Sequence, residues 1–333
     1  MSYREDFFRM LEGKTPVSDV PYTAMDITGE GKRYGQVTIM PERNDFLSVA
    51  IEGKNSWGVP YEIDVFGTGF MPKEGVHILK DITKWKDVIK APYDYDYDWA
   101  AAAEREKAAI QFNPETEVLS YMGMFGGYFL NLSGFMGFEG TMLAMYDEPE
   151  AMHELLDYMC DYDIWCLENI LKVHPEIDAI GIGDDNATEI NPFFSYEHFK
   201  EFFLPRYKRV ADLYKEHGKV ISYHNCGRCE DFMDDMVDIG VNIWNCATER
   251  NDLNAFTEKH DNKIILEFAP RISVNDPEDK IRKQVRDYLD LYAPNGCLVW
   301  LVNSLTMNQE AGANLMEWVE DEVATYGKGF YAK

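Results

Sequence analysis

His224-Asn225-Cys226 sets an imidazole and a thiol two positions apart. In extended backbone such residues project to the same side, so the two groups converge. Both are good zinc ligands. Two ligands do not define a site, and spacing alone leaves open a hydrogen-bonded histidine beside an inert buried cysteine. Asn245-Cys246 and Glu267 follow the next two apolar runs, and Cys246 and Glu267 could complete a set of three or four ligands. Cys226-x-x-Cys229 also has the form of a metal or redox pair, a weak signal when it stands alone. Asp184 and Asp185 are adjacent carboxylates after an earlier apolar run. One of them could orient a substrate or exchange a proton with it, and loop capping is the alternative.

These groups need a scaffold that brings successive chain segments to one place. From Pro114 onward, short apolar runs alternate with amphipathic helical patterns. Strands are expected over 118–122, 177–182, 219–223, 241–244, 263–268 and 297–302. Helices are expected over 149–173, with Pro149 in the first turn, and over 195–216, with Ser195 as N-cap and Gly218 as the stop. Further helices are expected over 230–239, 253–259, 277–292 and 310–326. Such alternation implies a parallel sheet with helices outside it, and six units favour closure into a (β/α)8 TIM barrel.

The chain reads as a single barrel over 1–333, with 1–113 less regular and 114–333 built of regular βα units. Residues 20–25 are the expected first strand. Gly, Pro and aromatics over 54–75 suggest a hairpin excursion over the barrel mouth. In a barrel of this kind the reactive groups stand at the C-terminal strand ends. Those positions hold Tyr121; Asp184, Asp185 and Asn186; His224 and Cys226; Asn245 and Cys246; Glu267; and Asn303 with Ser304.

Composition narrows the function. The 333 residues carry 59 acidic against 32 basic side chains, a net charge of −27, which would repel nucleic-acid phosphates and anionic lipid. Six cysteines are too few for a disulfide scaffold. The first residues lack the basic flank and apolar core of a signal peptide, and no apolar run reaches the ~18 residues of a membrane span. A cytoplasmic protein with reduced thiols is expected, and a homodimer is left open. Gly123 to Gly127 (GMFGG) lacks dinucleotide-fingerprint spacing, and no G-x-S-x-G elbow is present.

Several marks in order along the chain resemble the uroporphyrinogen decarboxylase superfamily, and within it the corrinoid-dependent methyltransferases. They are Trp57-Gly58 followed by Glu62, Gly137-Phe138-Glu139, Pro149-Glu150, Gly183-Asp184-Asp185, SYEHFKEFFLP at 195–205, and His224-Asn225-Cys226-Gly227. The resemblance implies a (β/α)8 barrel with zinc on the His-x-Cys pair. In the thiol-methylating members a later cysteine joins them, where this chain has Asn303-Ser304, so a third ligand would be Cys246 or Glu267. The decarboxylases carry an N-terminal arginine motif for porphyrinogen carboxylates; here no arginine follows residue 20 until Arg33.

What remains implies demethylation of a small methyl donor, such as an aryl methyl ether, onto a corrinoid carried by a partner protein. Asp184 or Asp185 would serve the departing oxygen, and Trp57 and Tyr121 would hold an aryl ring, with Asn186 and Asn303 as further substrate contacts. Two rivals stand beside this. A metal-free, decarboxylase-like barrel would use Asp184 and survive loss of Cys226. A non-catalytic binding barrel would bind ligand without turnover.

Overall fold

The computed structural model describes residues 2–24, 35–43, 45–63, 70–303 and 309–332. Its strands are β1 (Tyr22–Ala24), β2 (Gln36–Ile39), β3 (Tyr61–Ile63), β4 (Phe70–Pro72), β5 (Val118–Phe125), β6 (Ala179–Gly183), β7 (Val220–His224), β8 (Ile243–Ala247), β9 (Ile265–Phe268) and β10 (Leu298–Val302). Eight of them form one sheet in the order β1-β10-β9-β8-β7-β6-β5-β2, every pair parallel. The sheet curls into a nearly closed (β/α)8 barrel, with β1 and β2 at its seam.

Period-two alternation sorts the strand residues. On the outside, Phe268 and Trp300 pack against Tyr288 and Tyr292 of the helix Glu278–Tyr292. On the inside, Val118, Ala179, Ile243, Ile265 and Val299 form a small apolar layer with Phe7 and Met10. These last two come from the helix Tyr3–Leu11, whose start is fixed by a capping box between Ser2 and Glu5. That helix therefore plugs the barrel floor. Arg4 fastens it there through a two-pronged ion pair with Asp178, at 2.5 and 2.7 Å.

The outer helices follow the expected apolar spacing. Met152, Leu155, Leu156, Met159, Cys160 and Cys166 are all buried along the helix Pro149–Val173. The segment expected as one helix over 195–216 is instead Tyr196–His198, a π-helical stretch Phe199–Phe203, and Leu204–Glu216. Pro205 lacks the N–H that a regular α ladder would need, and the wider turn accommodates it.

The expected hairpin forms as β3 against β4, with its tip over 64–69 outside the described residues. Its flank lies on the mouth side, beside the helix Tyr128–Met136 that follows β5 directly: a Cβ on Gly134 would stand 3.2 Å from Val59 and 3.8 Å from Pro72. The N-terminal third is more regular than its sequence suggested: it supplies β2 and the helix Trp99–Ala108. The first strand is confirmed for Tyr22–Ala24, while Met25 lies outside the described residues.

Candidate metal centre and the cavity beside it

β7 ends at His224, and the chain then turns sharply at Gly227, whose φ is +81°. A Cβ on Gly227 would stand 2.3 Å from the Thr188 carbonyl oxygen, so the turn admits only glycine without a shift. Between these points Asn225 is fully buried and donates to the Tyr223 hydroxyl at 2.8 Å. Cys226 is held by its own N–H, which donates to Asp185 Oδ1 at 2.8 Å. His224 and Cys226 do converge, with Nε2 and Sγ 3.7 Å apart.

Cys246 joins them from β8. The β8–β9 register shifts between Asn245 and Ala247, a bulge with one extra residue on β8. Cys246 occupies it with φ of +46°, a left-handed conformation rare for a side-chain-bearing residue. Ligand atoms of His224, Cys226 and Cys246 lie within 4.8 Å of one another, and among the described residues they form the one such cluster of metal-binding groups.

The donor set suits zinc. Three ligands on a tetrahedral zinc stand roughly 3.5–3.8 Å apart, given its usual bond lengths, and the His224–Cys226 separation already falls there. The adjacent Cys246 sulfur and burial push the Cys226 thiol up. Burial works against a proton on His224, but Cys226, Asp185 and Asn245 outweigh it and raise its basicity.

Glu267, offered by the sequence as an alternative third ligand, is not in this cluster. Asn245 stands between: its Nδ2 donates to Glu267 Oε2, and its Oδ1 lies 2.5 Å from His224 Nδ1. Burial pushes the Glu267 carboxyl up, against hydrogen bonds from Asn245 and Gln36. The other cysteines take no part. Cys229 is buried with its sulfur toward the Asn225 carbonyl, and Cys160, Cys166 and Cys297 are also buried away from the cluster.

The two aspartates separate sharply. Asp184 is fully buried and accepts from the N–H groups of Phe129, Leu130 and Asp185 and from the Tyr207 hydroxyl, at 2.8 to 3.1 Å. Two of those donors are the open N–H groups at the start of the helix Tyr128–Met136, an anion-binding end. Burial pushes the carboxyl up to about 7, and the donated hydrogen bonds pull the other way. Asp185, by contrast, is partly exposed, with Oδ1 3.7 Å from His224 Nε2. Asn186 is buried and donates to the hydroxyls of Tyr207 and Tyr223 at 3.1 Å.

Cys226, Cys246 and Asn303 open on a cavity of about 330 Å³, whose other walls include Ile272, Leu301 and Arg271. That volume suits a small organic ligand. Ser304 lies outside the described residues. Trp57 and Tyr121 are not brought to this cavity. They line a separate one of about 350 Å³ with Tyr97, Trp99 and Tyr162. Strand parity explains it: Ser120 faces inward to Thr38, so Tyr121 faces outward and meets His174 of the helical layer.

Sequence reasoning placed Asn245 at a strand end without assigning it a contact and passed over Gln36 and Tyr3; these residues share the barrel interior with His224 and Glu267. The run Gln36-Val37-Thr38-Ile39 is rich in β-branched residues, but four positions are too few to set a strand period.

Fold and site together define a (β/α)8 barrel with a histidine–dithiol centre at its C-terminal strand ends. The chain belongs to the uroporphyrinogen decarboxylase (URO-D) family, which matches residues 67–300. A uroporphyrinogen decarboxylase of Helicobacter acinonychis (strain Sheeba) is 26% identical over 190 residues, 53% of this chain and 53% of that protein. The chain thus spans about half the length of that curated relative. A methyltransferase from Methanosarcina mazei superposes with a TM-score of 0.63 over 98% of this chain and 99% of its own, at 14% identity. At that identity the likeness is one of fold. No helix among the described residues is long and apolar enough to cross a membrane.

Proposed function

We propose that this protein is a corrinoid-dependent methyltransferase. It takes the methyl group of a small donor, an aryl methyl ether in the fullest form of the reading, and passes it to the cobalt of a corrinoid carried by a partner protein. The observation that carries the proposal is the convergence of His224 with Cys226 and Cys246, the two cysteines walling a ligand-sized cavity. Zinc held by these three residues would supply a Lewis acid for the oxygen that the methyl group leaves.

The chain's own residues do the rest. The inner faces of Ile272 and Leu301 give the donor an apolar seat, and Asn303 offers it a hydrogen bond. Asp185, beside His224 and partly exposed, orients or protonates the departing oxygen. In this proposal Asp184 and Asn186 act from beneath, as buried anchors for the loops that carry Asp185 and Cys226. Trp57 and Tyr121 form the wall of the second, aromatic cavity rather than the seat of the methyl donor. The reading keeps the protein in the cytoplasm, where its thiols stay reduced.

Mixing the protein with a corrinoid protein and a methyl donor should yield methylcobalamin, followed by absorbance, and Cys226→Ala should abolish both transfer and bound zinc. Absence of transfer across a broad donor panel would sink the proposal. The match to uroporphyrinogen decarboxylases favours a second reading, metal-free decarboxylation at Asp184. Against it, all four Asp184 hydrogen bonds are spent on the protein. Turnover that survives Cys226→Ala would favour that reading.

A further inference from the structure

His224, Asn245 and Glu267 stand in register on three adjacent strands, His224 opposite Asn245 and Asn245 opposite Glu267. They therefore share one layer of the barrel interior, and their hydrogen bonds run in a line across it. Asn245 Nδ2 donates to Glu267 Oε2, so the amide nitrogen is the end that faces the carboxyl group. This turns Asn245 Oδ1 to His224, 2.5 Å from Nδ1. An amide oxygen also only accepts, so Nδ1 must carry a proton. In the neutral ring the lone pair then stands on Nε2, the nitrogen that faces Cys226.

The line continues beyond Glu267. Gln36 donates to its carboxylate, and the Tyr3 hydroxyl donates to Gln36 Oε1 at 3.2 Å, which keeps the Gln36 amide nitrogen turned away from Tyr3. Each member fixes the direction of the next. Tyr3 belongs to the floor helix, so the line that orients His224 begins on the element that closes the barrel from below.

We propose that Glu267 and Asn245 are positioning residues, which lock His224 as the Nδ1–H tautomer and present Nε2 to a metal. Glu267 itself is not a ligand. The inference rests on the metal-centre reading above and assigns the tuning of that centre. Outer partners of ligating histidines typically contribute 10- to 100-fold in metal affinity, by fixing the ring and raising its basicity.

Glu267→Gln is the sharpest test, because it keeps shape and volume but adds a donor, so that Asn245 can flip and release the tautomer. Zinc affinity of wild type, Glu267→Gln and Asn245→Leu would be measured by competition with a chromogenic chelator, with melting curves to verify folding. Both variants should bind about 10- to 100-fold more weakly. In cobalt(II)-loaded wild type, proton NMR should show an exchangeable, hyperfine-shifted His224 Nδ1–H, lost in Asn245→Leu. The visible cobalt bands should be unchanged in Glu267→Gln.

Equal zinc affinity in wild type and Glu267→Gln would overturn the positioning role while leaving the metal centre intact. Altered cobalt bands in that variant would make Glu267 a ligand and overturn it as well. Folded wild type that binds no zinc would overturn the metal centre, and this inference with it. Should Asn245→Leu fail to fold, Glu267→Gln alone decides.

Discussion

Asn245 and Cys246 are consecutive residues of β8, and both turn their side chains toward His224. In a regular strand this is forbidden, because neighbours face opposite sides of the sheet. The bulge between Asn245 and Ala247 removes the conflict by placing Cys246 at φ +46°. One residue then holds the outer side of the imidazole while the next supplies a sulfur to its inner side. A left-handed, side-chain-bearing residue costs on the order of 1–3 kcal/mol, and such strain gathers at functional sites.

That strain is measurable. Cys246→Gly and Cys246→Ala both lose the sulfur and should lose bound zinc. In the metal-free protein, however, the glycine variant should be the more stable by about 1 kcal/mol, since only it relieves the left-handed conformation. This reverses the usual order of alanine over glycine within a strand. Urea denaturation of the two variants tests it, and equal or greater stability of the alanine variant would remove the strain argument.

The adjacent aspartates should respond differently to the same change. Asp184→Asn places an amide NH2 among four donors and should cost about 2–4 kcal/mol in denaturation experiments. Asp185→Asn should shift stability by less than about 1 kcal/mol, because the residue is partly exposed. Its effect should fall on turnover, lowered on the order of 100-fold if it handles a proton at the departing oxygen. A stable, inactive Asp184→Asn would exchange these roles.

Gly227→Ala should destabilise by about 2–3 kcal/mol, since the new methyl would meet the Thr188 carbonyl and φ is positive. Because Cys226 precedes it directly, zinc affinity should fall as well. A variant with unchanged melting temperature and zinc affinity would show that the turn can relax elsewhere.

Loss of the floor plug should unfold the barrel from below. Phe7 is almost fully buried in the lower layer, so Phe7→Ala should cost about 3–5 kcal/mol. Calorimetry on the pair reads this directly. A cost under about 1 kcal/mol would mean that the helix is an ornament of the barrel and not part of its core.

Much of the barrel was legible from patterning. The six βα units after Pro114 and the 149–173, 230–239 and 253–259 helices follow from period-two and period-3.6 spacing, which depend on nearby residues alone. The convergence of His224 with Cys226 was likewise expected, since it needs only an extended segment between them. β2 was missed because four residues with one glutamine give too short a pattern, and its strand identity comes from pairing with β5.

What the sequence by itself determined, then, is the alternating scaffold and the chemical inventory at its strand ends. Only the tertiary structure decided which of those groups meet. Whether Cys246 or Glu267 completes the cluster turns on a bulge and on a register that sets Asn245 between Glu267 and His224. Whether Asp184 or Asp185 is free turns on where the helix Tyr128–Met136 begins. Those relations join residues tens of positions apart, and no local spacing carries them.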